Sequence, residues 1–186
     1  RAVFTSEYQP QIATVRSKTM PPAEKDEIRT GEIIRFESGL AELEPRSRIL
    51  EKKKQESGGI KLEDADVVIG GGRGIGGPEG FQELEKLAAA LKGAVGATRP
   101  PCDSEWVPNT LLFGLTGKVI VPDLYIAVAV SGASQHMSGC ATAKNIVAIN
   151  KDEEANIFRE ARYGVIGDWK KVLPAFTQKL KELIDS

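Results

Sequence analysis

A cluster of glycines is the feature of this 186-residue chain most suited to chemistry. The chain has 19 glycines, and seven of them lie between Gly70 and Gly80. Within that stretch, residues 72–77 read Gly-Arg-Gly-Ile-Gly-Gly and fit the pattern G-x-G-x-x-G, after an apolar run and before an amphipathic one. Glycines at this spacing let a backbone approach a diphosphate, which then meets the N–H groups that open the helix. The motif predicts a nucleotide site but does not specify the nucleotide.

The residues after the next apolar run argue against the usual nicotinamide site. That site needs a carboxylate at the end of the second strand to hold a ribose hydroxyl. Here the position carries Thr98 and Arg99, and the next acidic residue is Asp103. Arg73 and Arg99 instead place two permanent cations at the carboxyl ends of adjacent predicted strands, where open α/β sheets bind ligands. The two arginines favour an anionic or electron-accepting ligand.

The single histidine, His136, follows a glycine-containing turn at residues 131–135. A lone histidine at such a place can be a helix cap, a satisfied core residue or a donor to a ligand. The two cysteines, Cys102 and Cys140, are far apart and form no C-x-x-C motif. The histidine and cysteines therefore argue against a zinc site, and a Cys–His nucleophile pair stays open but has no supporting signature.

Alternating strands and helices are predicted from residue 61 onwards, and they must position these groups. Apolar runs at residues 66–70 and 94–97 flank a stretch with helical periodicity that ends at Gly93, which makes a βαβ unit. Further buried strands are predicted at residues 118–121, 125–130 and 145–149, and a last short strand at 163–166. Helices are predicted after His136 to about residue 143, from about 152 to 159, and from 168 to about 184. This alternation predicts a doubly wound α/β domain.

Residues 1–60 have a different character, with eleven Lys/Arg, ten Asp/Glu and scattered prolines. Runs of period two at residues 11–16, 32–37 and 46–53 predict half-exposed strands. Such a segment has little core of its own. We therefore expect a strand-rich arm that packs on another part of the protein.

The overall charge excludes some functions. Lys and Arg total 25 and Asp and Glu total 26, so the net charge of −1 argues against a nucleic-acid binder. The longest charge-free run, residues 124–143, contains serines, Gln135 and His136, so we expect no membrane insertion. Residues 108–150 hold only three charged side chains, which is typical of buried strands around a site.

Several stretches, in the right order, resemble the electron-transfer flavoprotein α subunit family. The main block is residues 124–139 followed by 146–152. Agreement extends upstream through residues 71–74, 94–99, 107–109 and 116–118, and downstream to residues 163–164 and Asp168. The resemblance implies that residues 61–186 are an FAD-binding domain. It also implies that the arm, residues 1–60, joins a preceding domain absent from this chain.

The same resemblance implies a three-layer α/β/α fold with a doubly wound parallel sheet, similar to the NAD/FAD-binding domain of deoxyhypusine synthase. FAD would lie in an extended crevice. The resemblance places Arg73 on the flavin side of the site, Arg99 close to the flavin ring and Thr116 in a hydrogen bond with that ring. It also implies that Thr98, Phe113, Gly114 and Leu115 bind the cofactor. Along the ribityl and diphosphate path it places Ser131, Gly132, Ala133, Ser134, Gln135 and His136, with His136 reaching the pyrimidine carbonyl. Asn150 and Asp168 would hold the adenosine half.

Four positions depart from the family pattern. Leu112 and Leu115 stand where glutamines are common, Ala129 replaces a usual glycine, and Ser134 replaces a branched aliphatic residue. Leucines cannot donate hydrogen bonds, so we expect a drier surrounding for the flavin near Leu115.

The resemblance implies an electron carrier and not an enzyme. Its partners would be an electron-transfer flavoprotein β subunit, flavin dehydrogenases such as acyl-CoA dehydrogenases, and a quinone-linked oxidoreductase. The compartment would be the cytoplasm in a bacterium or the mitochondrial matrix in a eukaryote. Two alternatives stay open: a nicotinamide-dependent dehydrogenase that uses the glycine loop, and a flavin-free assembly domain.

Overall fold

The computed structural model describes residues 59–184 without a break, together with residues 9, 24–28, 30–35, 47 and 50–51. Five parallel strands form one sheet: β1 (Val67–Gly71), β2 (Ala94–Ala97), β3 (Leu124–Val128), β4 (Asn145–Asn150) and β5 (Tyr163–Ile166). Five helices accompany them: α1 (Pro78–Ala90), α2 (Arg99–Asp103), α3 (Ser134–Met137), α4 (Ile157–Glu160) and α5 (Trp169–Ile184). Short 3-10 helices occur at Arg73–Ile75 and Asn109–Leu111.

The strand order across the sheet is β2-β1-β3-β4-β5, and every neighbouring pair is parallel. The order reverses between β1 and β3, because the chain moves outward to β2 and then returns past β1. In open α/β sheets a ligand crevice lies at such a reversal, beyond the carboxyl ends of the strands. The predicted doubly wound parallel sheet is confirmed.

Two apolar cores lie on the two faces of the sheet, as the alternation of side chains along each strand requires. On one face Val68 and Tyr125 pack with Met137 of α3 and Ile157 of α4. On the opposite face Ile69 packs with the apolar faces of α1 and α5. The predicted three-layer arrangement follows from these two cores.

Two glycines in the sheet make room for bulky aromatic side chains. Gly70 of β1 is paired in register with Gly96 of β2. A Cβ atom at Gly70 would lie 2.7 Å from the rings of Phe113 and Tyr125, and one at Gly96 would lie 2.7 Å from Phe113. The strands can therefore hold two fully buried aromatic rings against the sheet only because both positions lack side chains.

Three predicted elements differ from the structure. Residues 118–121 are not a strand: Lys118 forms one isolated bridge with Phe113, and the extended segment after it covers a sheet face with the fully buried Ile120. The helix predicted after His136 is wrong: α3 occupies Ser134–Met137 and turns follow it, where Gly139 approaches the Gly114 backbone too closely for any Cβ atom. The helix predicted from residue 152 is limited to α4, since the Asp152 side chain accepts a hydrogen bond from the Glu154 N–H and forms a turn.

Most of the predicted arm lies outside the described residues. Of its second predicted strand, the described residues 32–35 are exposed and have no strand assignment. The strands predicted at residues 11–16 and 46–53 lie outside the described part of the chain, apart from residues 47 and 50–51, which are not in strands. Within the described residues, no helix is long and apolar enough to span a bilayer.

Where β1 and β3 end, their backbones approach each other closely. The Gly72 N–H donates to the Val128 carbonyl at 3.0 Å, and a Cβ atom at Gly72 would lie 2.1 Å from the Ala129 oxygen. Ala129 itself has φ 53°, in the left-handed region that glycine adopts without strain. The alanine that departs from the family pattern therefore occupies a backbone conformation suited to the glycine it replaces.

Replacing Ala129 with glycine should raise the free energy of unfolding. The substitution removes about 1 kcal/mol of backbone strain from the folded state. Glycine also increases the conformational entropy of the unfolded chain, which cancels about half of that gain in stability. We expect a net gain of about 0.5 kcal/mol in urea denaturation. Ala89→Gly, the same change on the exposed face of α1, is the matched control and should lose about 1 kcal/mol. Equal losses for both variants would contradict the assignment of strain to Ala129.

Candidate cofactor site

A cleft of about 560 Å³ opens at the carboxyl ends of β1, β2, β3 and β4, at the reversal of strand order. That volume lies in the range of sites that enclose small molecules and cofactors. Its walls are formed by Gly72, Arg73, Gly74, Thr98, Arg99, Pro100, Leu112, Phe113, Gly114, Leu115, Thr116, Ala129, Val130, Ser131, Ala133, Gln135, His136, Asn150, Lys151 and Asp152. Sequence positions from 72 to 152 thus meet at one edge of the sheet.

The glycine loop after β1 is held from the far end of the chain. Trp169, the first residue of α5, donates from Nε1 to the Gly74 carbonyl at 3.0 Å. Its ring also lies against Gly80 of α1, where a Cβ atom would be 3.0 Å from the indole. Trp169 therefore holds the glycine loop in place at the edge of the sheet. Arg73, within this loop, lines the cleft.

Arg99 opens α2 directly after β2, and its charge is available to a ligand. The guanidinium Nε donates to Asp103 at 3.2 Å and Nη1 donates to Thr116 Oγ1 at 3.5 Å. Both members of the ion pair are about 60% exposed, and exposed pairs of this kind are worth at most about 1 kcal/mol. Arg99 can therefore turn towards an anion in the cleft at little cost, while Thr98 beside it is buried.

The segment at residues 112–116 returns to the cleft although it belongs to no strand ladder. Leu112 and Phe113 bridge to Ala97 and Lys118, and the Leu115 N–H donates to the Gln135 carbonyl at 2.8 Å. Phe113 is fully buried, whereas Leu115 is 64% exposed. An exposed leucine in the cleft wall supplies apolar surface for a ligand ring and no hydrogen bond.

His136 belongs to α3, after the turn that follows β3, and it is nearly buried with 8% exposure. Its Nε2 lies 2.8 Å from the hydroxyl oxygen of Tyr125. Its Nδ1 is the only buried side-chain nitrogen or oxygen within the described residues that has no hydrogen-bond partner. An unpaired buried polar atom costs free energy that a ligand's polar atom can recover.

Burial lowers the pKa of His136 to about 4, and the nearby Phe113 backbone, which favours the protonated ring, only partly offsets this effect. The two titratable groups hydrogen-bonded to His136, Tyr125 and Cys140, are uncharged. Burial raises the pKa of Tyr125 well above its usual value and raises that of Cys140 to about 12. His136 is therefore neutral at physiological pH in the ligand-free protein.

Asn150 and Asp168 lie where the sheet continues beyond the main cleft. Asn150 Nδ2 donates to the Val130 carbonyl at 2.9 Å, and its Oδ1 accepts from the Asp152 N–H at 3.0 Å, so it ties two loops together. Asp168 does not line the main cleft. It lies in an adjoining depression of about 200 Å³ that shares Gly74, Asn150 and Lys151 with the cleft. Its Oδ1 also caps α5 by accepting from the Lys170 N–H at 3.0 Å.

Two predicted site residues, Gly132 and Ser134, do not line the cleft. Gly132 (φ 78°) packs against α4 instead, so closely that a Cβ atom would be 2.3 Å from the Ile157 nitrogen. Gly132 and Ser134 line a separate surface depression with Arg159. The remaining predicted residues line the cleft, apart from Asp168 beside it. Sequence reasoning had treated Gly72 and Gly74 as part of a nucleotide loop and Leu112 and Ala129 as departures from the family pattern, but it missed four further lining residues: Pro100, Val130, Lys151 and Asp152. These residues could have been identified from the sequence, because they lie directly after predicted strands or beside residues already chosen.

The cleft suits an elongated anionic ligand that carries an aromatic ring. Arg73, Arg99 and Lys151 supply positive charge, and Leu112 and Leu115 supply apolar surface. His136 adds an unpaired ring nitrogen. Within the described residues no group of acidic, histidine or cysteine side chains could hold a metal ion. These features fit a flavin dinucleotide, whose diphosphate is anionic and whose ring is flat and carries carbonyl oxygens.

The depressed pKa of His136 makes stability depend on pH. Because the unfolded ring has a pKa near 6.5 and the folded ring one of about 4, the unfolded state binds more protons between these values. This contribution is complete above pH 6.5 and is lost as the pH falls towards 4. We expect the free energy of unfolding to fall by about 2 kcal/mol between pH 7 and pH 5 in urea titrations. The His136→Asn variant should lack this slope, and an equal slope in both proteins would contradict the assignment.

Comparison with known proteins agrees with the geometry. Residues 61–141 match the family model described as electron transfer flavoprotein FAD-binding domain. The chain is similar to the electron transfer flavoprotein subunit alpha of Thermoanaerobacterium thermosaccharolyticum, with 43% identity over 94% of this chain and 53% of the relative. The corresponding Bacillus subtilis subunit is 45% identical over 92% of this chain and 52% of its own length. The mitochondrial subunit of Arabidopsis thaliana is 40% identical over 93% and 49%.

The chain spans about half the length of the curated relatives it matches. The family match confirms both the resemblance predicted from the sequence and FAD as the cofactor of this domain family. Residues 61–141 belong to the electron transfer flavoprotein FAD-binding domain family, and more than nine tenths of the chain is similar to part of the α subunits of that flavoprotein.

Proposed function

We propose that the cleft binds one FAD in an extended conformation and that the chain serves as the flavin-holding part of an electron carrier. The observation that carries the proposal is the position of the cleft at the strand-order reversal, with cations at its rim and with His136, whose buried Nδ1 has no hydrogen-bond partner, among its lining residues. A diphosphate suits the rim, and the carbonyl oxygens of a flavin ring suit an unpaired donor.

The residues would divide the cofactor between them. Gly72 and Gly74 let the loop after β1 pack directly on Ala129, and the diphosphate would lie beside this loop. Arg99 and Thr116 would lie beside the flavin ring, and His136 would donate to its pyrimidine carbonyl. The adenosine half would extend past Asn150 into the depression beside Asp168. Gly132 and Ser134 would act through their backbone, since they face away from the cleft.

FAD supplies the redox chemistry, and the protein tunes it. Arg99 cannot lose its proton, so it favours any increase of negative charge on the ring beside it. Leu112 and Leu115 exclude water from that ring and give it a drier surrounding than amide side chains would. The cleft wall within the described residues contains no histidine–carboxylate or cysteine–histidine pair for work on a substrate, which suits a carrier and not an enzyme.

The proposal extends to partners and compartment. Because the relatives are named as subunits, we infer a β subunit as the constant partner. Flavin dehydrogenases such as acyl-CoA dehydrogenases would supply electrons, and a quinone-linked oxidoreductase would accept them. The complex would act in the bacterial cytoplasm or the mitochondrial matrix. Residues 61–186 would form the FAD-binding domain and residues 1–60 the arm that joins it to another domain.

Purified protein given excess FAD, alone and with a β subunit added, should become yellow after removal of free flavin. Denaturation should release FAD, and NADH should neither bind nor be oxidised. The absorbance spectrum and the released nucleotide measure this directly. Colourless protein that binds NADH would instead support a nicotinamide-dependent dehydrogenase. Protein that stays colourless and inert under both conditions would support a flavin-free assembly domain.

Removing the Arg99 charge should lower the reduction potential of the bound flavin. A loss of about 1.4 kcal/mol of charge stabilisation corresponds to about 60 mV for one electron. Arg99→Ala should show this decrease in a redox titration, and Arg99→Lys a smaller one. Arg159→Ala, which removes an exposed arginine outside the cleft, is the control and should leave the potential unchanged. An unchanged potential in Arg99→Ala would exclude the assigned role.

A further inference from the structure

Tyr125 and His136 form a buried pair beneath the cleft. The Tyr125 hydroxyl is fully buried on β3 and lies 2.8 Å from His136 Nε2. Within the described residues this is the one hydrogen bond of the hydroxyl, while His136 Nδ1 is buried with no partner at good hydrogen-bond geometry and with the Phe113 backbone close enough to favour the protonated ring. Tyr125 does not line the cleft, whereas His136 does. The pair therefore links the core of the sheet to the ligand site.

The donor in this hydrogen bond can be deduced from the surroundings. If His136 Nε2 carried the hydrogen and donated to Tyr125, the hydroxyl hydrogen would have no acceptor and Nδ1 would be a second unsatisfied atom. If Tyr125 donates to Nε2, the only unsatisfied group is an N–H at Nδ1. Each buried unsatisfied polar group is costly, so the second arrangement is the more stable. The Phe113 backbone, which favours the protonated ring, agrees with hydrogen on Nδ1.

Packing holds the two rings in this arrangement. The centre of the Phe113 ring lies 4.8 Å from the centre of the His136 ring and 5.5 Å from that of the Tyr125 ring. Phe113 and Tyr125 meet edge to face. The space for this aromatic group comes from Gly70, where any Cβ atom would overlap Phe113 and Tyr125. The titratable neighbour facing the pair is Cys140, whose thiol donates to the His136 carbonyl and stays uncharged. Neither ring has a nearby charge that would reverse the hydrogen bond.

We propose that Tyr125 is a positioning residue, whose hydroxyl donates to His136 Nε2, holds the hydrogen on Nδ1, and thereby presents an N–H donor to a carbonyl oxygen of the flavin ring. This inference rests on the proposed function for the identity of the ligand. The orientation of the donor is a property of the protein before any ligand binds. Tyr125 acts through His136 and does not touch the cofactor.

The single histidine of the chain makes the tautomer directly measurable. Protein labelled with ¹⁵N at histidine gives one pair of ring nitrogen signals, and a nitrogen that bears hydrogen resonates well apart from one that does not. The carbon-bound ring hydrogens identify which signal is Nδ1. At neutral pH and without FAD, we expect hydrogen on Nδ1. Hydrogen on Nε2 in the wild-type protein would overturn the proposal, whatever any variant does.

Tyr125→Phe retains the buried ring and removes only the hydroxyl. We expect the variant to lose the preference for hydrogen on Nδ1, so that the Nε2 tautomer becomes populated. Tyr163→Phe, at an exposed position on β5, is the matched control and should keep the wild-type pattern. Circular dichroism checks that both variants are folded. An unchanged tautomer in folded Tyr125→Phe would overturn the proposal, and if the variant does not fold, the wild-type signals still decide the donor.

FAD affinity tests the second half of the inference. Tyr125→Phe should bind FAD roughly three- to tenfold more weakly than wild type, as expected for one misdirected hydrogen bond. Tyr163→Phe should bind as wild type does. A shifted tautomer with unchanged FAD affinity would show that His136 donates nothing to the flavin and would overturn this half. If no variant and no wild-type protein binds FAD, the proposed function fails, and the tautomer measurement still decides the role of Tyr125.

Discussion

The site depends on two backbones that almost touch where β1 and β3 end. The Gly72 N–H donates to the carbonyl of Val128, the last residue of β3. The carbonyl oxygen of the next residue, Ala129, occupies the space that any Gly72 side chain would need. In a parallel sheet the loops leaving neighbouring strands normally diverge to opposite faces at the reversal point. Here they diverge from a point of contact, so the crevice between them begins at the level of the sheet. Glycine at position 72 is therefore a steric requirement of the cleft.

The cleft combines two kinds of polar group that differ in how they respond to a ligand. Arg99 is exposed, permanently charged and loosely paired with Asp103, so its geometry is adjustable and its charge is constant. His136 is buried and neutral, and its position is set by packing, so its geometry is fixed while its protonation can change. A ring that gains negative charge between these two groups would meet a mobile cation on one side and a rigid donor on the other.

Sequence patterns predicted the parts of the fold that depend on local spacing. The apolar run before the glycine loop, the helix up to Gly93 and the strand at Ala94–Ala97 all lie where expected, because a βαβ unit is built from neighbouring segments. Asp168 was correctly predicted to cap the last helix. Residues 118–121 were predicted wrongly as a strand, because an apolar segment that crosses a sheet face has the same composition as one that joins the sheet.

The sequence predicted which residues of the candidate site follow strands, but it did not predict the contacts between distant residues there. Positions directly after strands, such as Arg99 and Asn150, could be chosen because the carboxyl ends of parallel strands share one edge. The orientation of Gly132 away from the cleft depends on its contact with Ile157, which spacing along the chain does not encode. The partnership of Tyr125 and His136 was also absent from the sequence reasoning, since the strand residue was read only as part of an apolar run.

The hydrogen bond from Trp169 to Gly74 joins residues 95 positions apart. During synthesis the glycine loop emerges well before the segment that will hold it, and long-range contacts of this kind form late because a large loop must close first. The chain can thus build most of its sheet while the nucleotide-facing loop is still adjustable. Docking of Trp169, the first residue of the carboxyl-terminal helix, then completes the support of a loop whose cleft is lined mainly by earlier residues.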